Sequence, residues 1–190
     1  IKRMLAYSSL AQIGYMILGL SMNSVLGVSA GLVHLFNHAM MKGGLFMVMG
    51  CVVYRIGSAK LGDMAGLGKQ MPVTMGAFVL GGLSLIGVPL TVGFVSKWAL
   101  LQAALEKGWW PIAVLIVISS LMAVVYIWRV VEVVYFQAAP AGRVAVKEAP
   151  LMMMIPMLTL IGAAYYFGID GTTTMDIAGR AAESLIGGLK

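Results

Sequence analysis

The sequence predicts an all-α protein, a bundle of transmembrane helices, and three features of its composition predict this fold class. Hydrophobic residues make up 61% of the 190 residues and charged residues only 11%, whereas soluble domains have about 45–50% apolar and about 25% charged residues. The mean hydropathy is +0.95. The chain also contains 24 glycines, which closely packed membrane helices tolerate well. These values exclude a soluble globular domain and a disordered chain.

Apolar stretches alternate with short polar segments along the chain, and each stretch long enough to cross a bilayer is a predicted span, since about 20 mainly apolar residues are needed. One span begins at a tryptophan pair and ends at Tyr135 and Phe136, as is typical of membrane interfaces. The predicted spans are residues 5–22, 27–54, 72–88, 91–107, 110–136 and 151–168, with a polar segment at 55–71, a polar loop at 137–150 and a polar tail at 169–190. We expect a short interfacial helix from Met175 to Leu185 in this tail.

Residues 72–107 are apolar throughout but contain several helix-breaking positions, namely Gly81, Gly82, Gly87, Pro89 and Gly93. Backbone groups freed by a break inside a membrane must be satisfied by protein or by a water-filled cavity. In transporters, discontinuous helices mark the ion or substrate site. We predict two crossings here with a break near Pro89, which gives six spans in all.

The net charge of +6 does not indicate a nucleic-acid partner. The basic residues stand singly between apolar blocks, as loop charges and helix ends do in membrane proteins, so the lipid bilayer is the expected environment. Cys51 is the only cysteine, which excludes a disulfide framework within the chain. The chain opens at Ile1 without a signal-peptide pattern, and we expect it to be a C-terminal piece of a longer protein.

The second span carries three ionisable residues, His34, His38 and Lys42, at intervals of four. Such a spacing places the three side chains along one helix face, over about 12 Å of membrane depth. An intramembrane lysine costs roughly 2.5–3.5 kcal/mol on insertion scales, and histidine ordinarily titrates near neutral pH. We interpret the three as a proton relay; the alternative is that each bonds a neighbouring helix for structural reasons, with Asn37 as a partner.

Lys97 lies one helical turn after Gly93, just beyond the predicted break. At that position it can exchange protons between a cavity on one side and a partner on the other. The alternative is a lysine that snorkels to the membrane surface near a helix end. The residue type and its spacing leave both interpretations open.

Arg129 and Glu132 are three residues apart in the span 110–136. This spacing favours an intrahelical ion pair near the membrane surface over an accessory role in transport.

The sequence contains no pattern for a nucleotide, an iron–sulfur cluster or zinc. His34 and His38 lack a third metal ligand on their helix face, where Lys42 follows instead. We therefore expect no metal, no cofactor and no catalytic residue within this chain.

Three segments together resemble one family of membrane proteins: IKRMLAYSSLAQIGYM, HLFNHAMMKGGLFMVMG and LSLIGVPLTVGFVSKWALL, in this order and at this spacing. The chain resembles the second half of the antiporter-like subunits of respiratory complex I, membrane-bound hydrogenases and Mrp-type sodium/proton antiporters. The resemblance extends from Ile1 to about Phe136 and is weaker beyond. Because this chain has lysine at position 97 and ends at Lys190, the resemblance is strongest to the D-type members of the Mrp antiporters and their hydrogenase and complex I equivalents.

The resemblance implies two inverted five-helix repeats, each with one discontinuous helix, and residues 1–136 as the second repeat, followed by a final helix. It implies that Lys97 is the broken-helix lysine and that His34, His38 and Lys42 belong to a polar axis. It also implies proton or cation/proton translocation in a prokaryotic plasma (inner) membrane, with protons, Na⁺ in some members, and other membrane subunits as partners.

Two alternatives to translocation stay open. One is a structural membrane-arm subunit that conducts no ions, and the other is an intramembrane enzyme such as a quinone-reactive subunit. Whether the complex is an NADH:quinone oxidoreductase, a hydrogenase or an antiporter stays open as well.

Overall fold

The computed structural model describes residues 1–187 and contains only helices and connecting segments in that range. A 3₁₀ turn at Gly62–Met64 precedes α3, and a π-helical turn at Glu132–Phe136 extends α6. The helices are α1 (Lys2–Ser21), α2 (Val25–Ile56), α3 (Leu67–Gln70), α4 (Pro72–Ile86), α5 (Val92–Glu106), α6 (Trp110–Val131), α7 (Leu151–Ile169) and α8 (Thr172–Gly187).

The central element is α2, whose 32 residues make it about 48 Å long. Its first turn is capped by Ser24, whose side chain accepts a hydrogen bond from the Gly27 amide at 3.2 Å. It ends at Gly57, which adopts the left-handed conformation at φ +67°. Because α1, α4, α5, α7 and α8 all pack against α2, side chains on its inner faces meet residues from most of the molecule.

Helices α4 and α5 follow one another along the same side of α2. Met75 of α4 shares a hydrophobic cluster with the C-terminal half of α2, whereas Ala103 of α5 shares one with Ala30 near the α2 N-terminus. Between these clusters, the Asn37 side-chain amide donates to the carbonyl oxygen of Val92, the first residue of α5, at 2.7 Å. Both helices therefore run antiparallel to α2, one after the other.

The prediction of two separate crossings for residues 72–88 and 91–107 is therefore wrong. Each helix has 15 residues and is about 22 Å long, which is shorter than the hydrocarbon core of about 30 Å. Together they form one crossing that is interrupted between Ile86 and Val92. The described part of the chain then has five crossings, and the expected single discontinuous helix is confirmed.

The unbroken helix α6 packs along both halves of this crossing. Ile116 lies in a cluster with Ala99 of α5, and Ile127 is the nearest side chain to Gly82 of α4. Four described helices are long and apolar enough to span a bilayer alone: α1, α2, α6 with its π-helical turn, and α7.

The helix after α7 is longer than the expected interfacial helix at Met175–Leu185. Helix α8 begins at Thr172 and extends to Gly187, and it buries Ala178 and Ala182 while packing against α2. Residues 188–190 of the predicted tail lie outside the described residues.

The loop at 137–150 contains no helix, and it forms hydrogen bonds to the first turn of α4. The Glu148 carboxylate accepts hydrogen bonds from the Val73 amide at 2.6 Å and from the Thr74 amide at 3.2 Å. A carboxylate there satisfies free amides and the positive end of the helix dipole. Arg143 binds the 57–71 segment through the Ala65 carbonyl at 2.7 Å.

Candidate functional site

The candidate site begins at the break between α4 and α5. Gly87 and Leu90 both adopt left-handed backbone conformations, at φ +92° and +73°. The two halves then approach so closely that a Cβ atom on Gly93 would lie 1.8 Å from the Ser84 carbonyl oxygen. Only glycine fits at position 93, and the C-terminus of α4 faces the first turn of α5.

Lys97 lies buried beside this break, with 6% of its surface exposed. Its ammonium nitrogen donates to the carbonyl oxygens of Leu85 at 2.8 Å and Ile86 at 3.0 Å. These are terminal carbonyls of α4, which lack partners within the helix and form the negative end of its dipole. The nitrogen also lies 5.4 Å from the centre of the Tyr15 ring, within range of a cation–π interaction. Lys97 therefore points into the break and not to the membrane surface.

His34 is fully buried between α1, α2 and α5. Its Nδ1 atom lies 2.8 Å from the hydroxyl of Ser96 on α5, and its Nε2 atom lies 3.0 Å from Oε1 of Gln12 on α1. The edge of its ring meets Tyr15, with 5.3 Å between the ring centres. Tyr15 therefore contacts both His34 and Lys97, which brings these two predicted site residues together.

Lys42 is buried eight residues further along α2, with 5% of its surface exposed. Its ammonium donates to the Leu5 carbonyl at 2.7 Å and to the hydroxyl of Ser8. All of these partners are uncharged, and among residues 1–187 no carboxylate oxygen lies within 4 Å of the nitrogen of Lys42 or Lys97.

His38 lies between His34 and Lys42 on the predicted helix face, but it has a different environment. Its Nε2 atom is buried without a hydrogen-bond partner, and so is the side-chain oxygen of Asn37. Asn37 does not bind His34, His38 or Lys42 as expected, because its amide donates to the Val92 carbonyl at the break. His34 and Lys42 both point at α1, and the structure gives His38 no bond to either of them.

The predicted ion pair between Arg129 and Glu132 is absent from the structure. Both side chains are exposed, and their charged atoms are not within 4 Å of one another. Glu132 begins the π-helical turn, whose wider winding changes the angular position of the following side chains. Neither residue contacts the buried site.

Sequence reasoning missed four residues of this site: Ser8, Gln12 and Tyr15 on α1, and Ser96 on α5. The first three have a helical spacing of four and three, which places them on one face of α1. That spacing was a usable signal. Nothing in the sequence marks Ser96, which stands next to Lys97 but becomes a site residue only through its contact with His34.

The same face of α1 borders a cavity of about 330 Å³ between α1 and α6. A water molecule occupies about 30 Å³ in the liquid, so the cavity has room for several. Its lining includes Ser8, Gln12 and Tyr15 of α1 together with Ser119, Met122 and Tyr126 of α6.

The family described as "NADH:quinone oxidoreductase/Mrp antiporter, TM" matches residues 1–123. The chain belongs to this family. The antiporter-like resemblance predicted from the three motifs is confirmed, and the chain is an antiporter-like membrane subunit by sequence and by fold.

Relatives of this antiporter-like subunit occur in several kinds of membrane complex. The chain is 42% identical over 170 residues to NADH-quinone oxidoreductase subunit N of Desulforudis audaxviator, covering 83% of this chain and 34% of the relative. It is 30% identical over 195 residues to F(420)H(2) dehydrogenase subunit N of Methanosarcina mazei, covering 98% and 39%. The chain thus spans between a third and two-fifths of the length of these curated relatives.

Among solved structures, a chain of the Mrp complex from Dietzia sp. superposes with a TM-score of 0.87 at 25% identity, over 96% of this chain and 42% of that one. The fold is thus that of an Mrp-type subunit. The resemblance to the D-type Mrp members in particular stays a prediction, since both curated relatives described above are called subunit N.

Proposed function

We propose that this chain is the part of an ion-translocating membrane subunit in which Lys97 exchanges protons at the α4–α5 break. The observation that carries the proposal is the environment of the Lys97 ammonium, which is buried and bonded to two uncharged helix-terminal carbonyls. A lysine without a carboxylate partner can gain and lose its proton without breaking an ion pair. The carbonyls and the dipole of α4 stabilise its charged form.

We propose that the proton path also includes three residues of α2, namely His34, His38 and Lys42. His34 shares Tyr15 with Lys97, and Lys42 reaches α1 through Ser8. The cavity between α1 and α6 supports this proposal because water inside it would contact Ser8, Gln12 and Tyr15. A proton relay needs water or hydroxyl groups between its titrating side chains.

The alternative function is a structural membrane-arm subunit that conducts no ions. A scaffold has no need for buried ammonium groups, because replacing buried charges with apolar residues is often neutral or stabilising. Burial of Lys42 and Lys97 at 5% and 6% exposure therefore favours translocation. The proposed setting is a prokaryotic plasma membrane, in a complex with other membrane subunits, with H⁺ and in some settings Na⁺ as the moving ion.

The test is a pH-gradient assay in inverted membrane vesicles that contain the full-length subunit in its complex. We expect Lys97→Ala to abolish proton flux in an assembled complex, with assembly checked by native gel. The matched control is Lys107→Ala, which removes a lysine just after the C-terminus of the same helix α5 and should leave flux unchanged. One run is driven by NADH and another by a Na⁺ gradient. Unchanged flux of Lys97→Ala in both runs would establish the structural role instead.

A further inference from the structure

The His34 ring is held by one side chain from each neighbouring helix, and neither was predicted. Gln12 on α1 faces Nε2 through its carbonyl oxygen Oε1 at 3.0 Å. Ser96 on α5 faces Nδ1 at 2.8 Å. The Ser96 hydroxyl has a second acceptor within reach, the carbonyl oxygen of Val92 at 3.3 Å.

The hydrogen-bond donors and acceptors around the His34 ring are compatible with both its neutral and its protonated form. The Gln12 carbonyl oxygen only accepts, so Nε2 of His34 carries a hydrogen in every protonation state. In the neutral ring, Nδ1 has a lone pair and accepts from the Ser96 hydroxyl. In the protonated ring, Nδ1 donates to the Ser96 oxygen, and the hydroxyl hydrogen turns to the Val92 carbonyl. Both ring nitrogens of His34 and the Ser96 hydroxyl therefore have a hydrogen-bond partner in both states.

We propose that Gln12 and Ser96 are positioning residues for His34, and that the Ser96 hydroxyl alternates between Nδ1 and the Val92 carbonyl whenever His34 gains or loses a proton. This proposal rests on the proposed function, in which His34 carries protons. In this step His34 and Lys97 exchange one proton: when Nδ1 gains it the Lys97 ammonium becomes a neutral amine, and when Nδ1 releases it the amine is protonated again. The Ser96 hydroxyl keeps its own proton, and no other covalent bond changes.

The arrangement also connects His34 to the broken helix. Val92 is the first residue of α5, and its carbonyl accepts from Asn37 as well. Among the titratable side chains near His34, Tyr15 from α1 contacts its ring, Lys97 from α5 lies on the same Tyr15 ring, and His38 follows one turn later on α2 itself. Without Ser96, protonation of the ring would leave a charged donor unpaired in a buried site, which is costly.

The first experiment compares Ser96→Ala with Ser96→Thr in inverted vesicles that contain the full-length subunit in its complex. We expect Ser96→Ala to lower proton flux about tenfold, equivalent to about 1.4 kcal/mol, and Ser96→Thr to retain flux because it keeps the hydroxyl. The matched control is Ser29→Ala, since Ser29 is equally buried and donates to a carbonyl of its own helix at 2.6 Å. If Ser96→Ala does not assemble, Ser96→Cys fills the space with a much weaker hydrogen-bonding group.

The second experiment changes Gln12 and records the dependence of flux on pH. Gln12→Leu removes the acceptor, and we expect it to lower flux as Ser96→Ala does. Gln12→Glu keeps an acceptor and adds a negative charge that favours a protonated neighbour, so we expect flux to be retained with its pH profile displaced to higher pH. A merely structural role for Gln12 would leave the profile in place.

The outcomes separate this inference from the proposed function. Wild-type flux and an unmoved pH profile in the Ser96 and Gln12 variants, together with loss of flux in Lys97→Ala, would overturn the positioning role alone. Wild-type flux in Lys97→Ala as well would overturn both.

Discussion

Lys42 illustrates at the level of single residues how the site holds charge without carboxylates. Its ammonium binds the Leu5 carbonyl and the Ser8 hydroxyl. Ser8 itself donates to the same carbonyl at 2.9 Å. Removal of the ammonium therefore leaves both partners satisfied, and the cost of burying a charge disappears with it.

We expect Lys42→Leu to abolish or strongly reduce proton flux while the thermal stability of the purified complex stays equal or rises. The reason is that an apolar side chain of similar size replaces a buried charge without leaving an orphaned hydrogen-bonding group. The measurements are vesicle flux and Tm in detergent, with Lys60→Leu as the control, because Lys60 is an exposed lysine. Full flux combined with a clearly lower Tm would assign Lys42 a structural role.

The residues of the site differ in how far the sequence could predict them. A lysine or a histidine inside an apolar run is conspicuous because its burial is costly, so Lys97, His34 and Lys42 could be chosen from the sequence. Serine and glutamine are ordinary in membrane helices, where they often bond neighbouring helices. Gln12 and Ser96 become site residues only through distances across helix interfaces, which the sequence does not contain.

At the level of elements, the decisive feature is the contact between the two halves of the broken crossing. The Gly93 backbone lies against the Ser84 carbonyl with no room for a side chain. This approach brings the first turns of α5, and with them Lys97, to the terminal carbonyls of α4. The position of the lysine nitrogen therefore depends on the junction as much as on the lysine.

We expect Gly93→Ala to destabilise the junction by about 1–3 kcal/mol, as overpacking does, and to lower flux with it. The matched control is Gly76→Ala in α4, where an added Cβ meets nothing within 4 Å and should stabilise the helix by roughly 0.5–1 kcal/mol. Thermal unfolding of both complexes tests this directly. Equal Tm values for the two variants would show that the junction is not tightly packed.

The sequence predicts the position of the break correctly, but it does not predict that α4 and α5 form a single crossing. Gly87 and Pro89 mark where α4 must end, since both disfavour a continuing helix. The apolar runs before and after the break each predict a crossing, because composition does not reveal in which direction a helix runs through the membrane. Met75 of α4 packs with the C-terminal half of α2, Val92 at the start of α5 bonds Asn37 in the middle of α2, and Ala103 near the end of α5 clusters with Ala30. This order establishes one direction and one crossing.

At the level of the whole molecule, α2 is the central one of five crossings, and the buried side chains of His34 and Lys42 lie along it. The family was predictable because three motifs lie in one order along the chain, and the family match over residues 1–123 confirms it. The fold class was predictable from the apolar composition, and the helices of the described residues confirm it. The chain spans only 34% of the NADH-quinone oxidoreductase subunit N relative. The division at residue 136 between a second repeat and a final helix therefore stays a prediction, as do the partners and the coupling ion.

In the proposed function, Lys97 exchanges a proton and does not merely supply a charge at the break. Lys97→Arg tests it most directly, because arginine can bind the carbonyls of Leu85 and Ile86 but keeps its charge at all accessible pH values. The measurement is proton flux in inverted vesicles that contain the full-length subunit, with assembly checked by native gel. We expect an assembled complex with no flux. Flux at the wild-type level in the Lys97→Arg complex would contradict it.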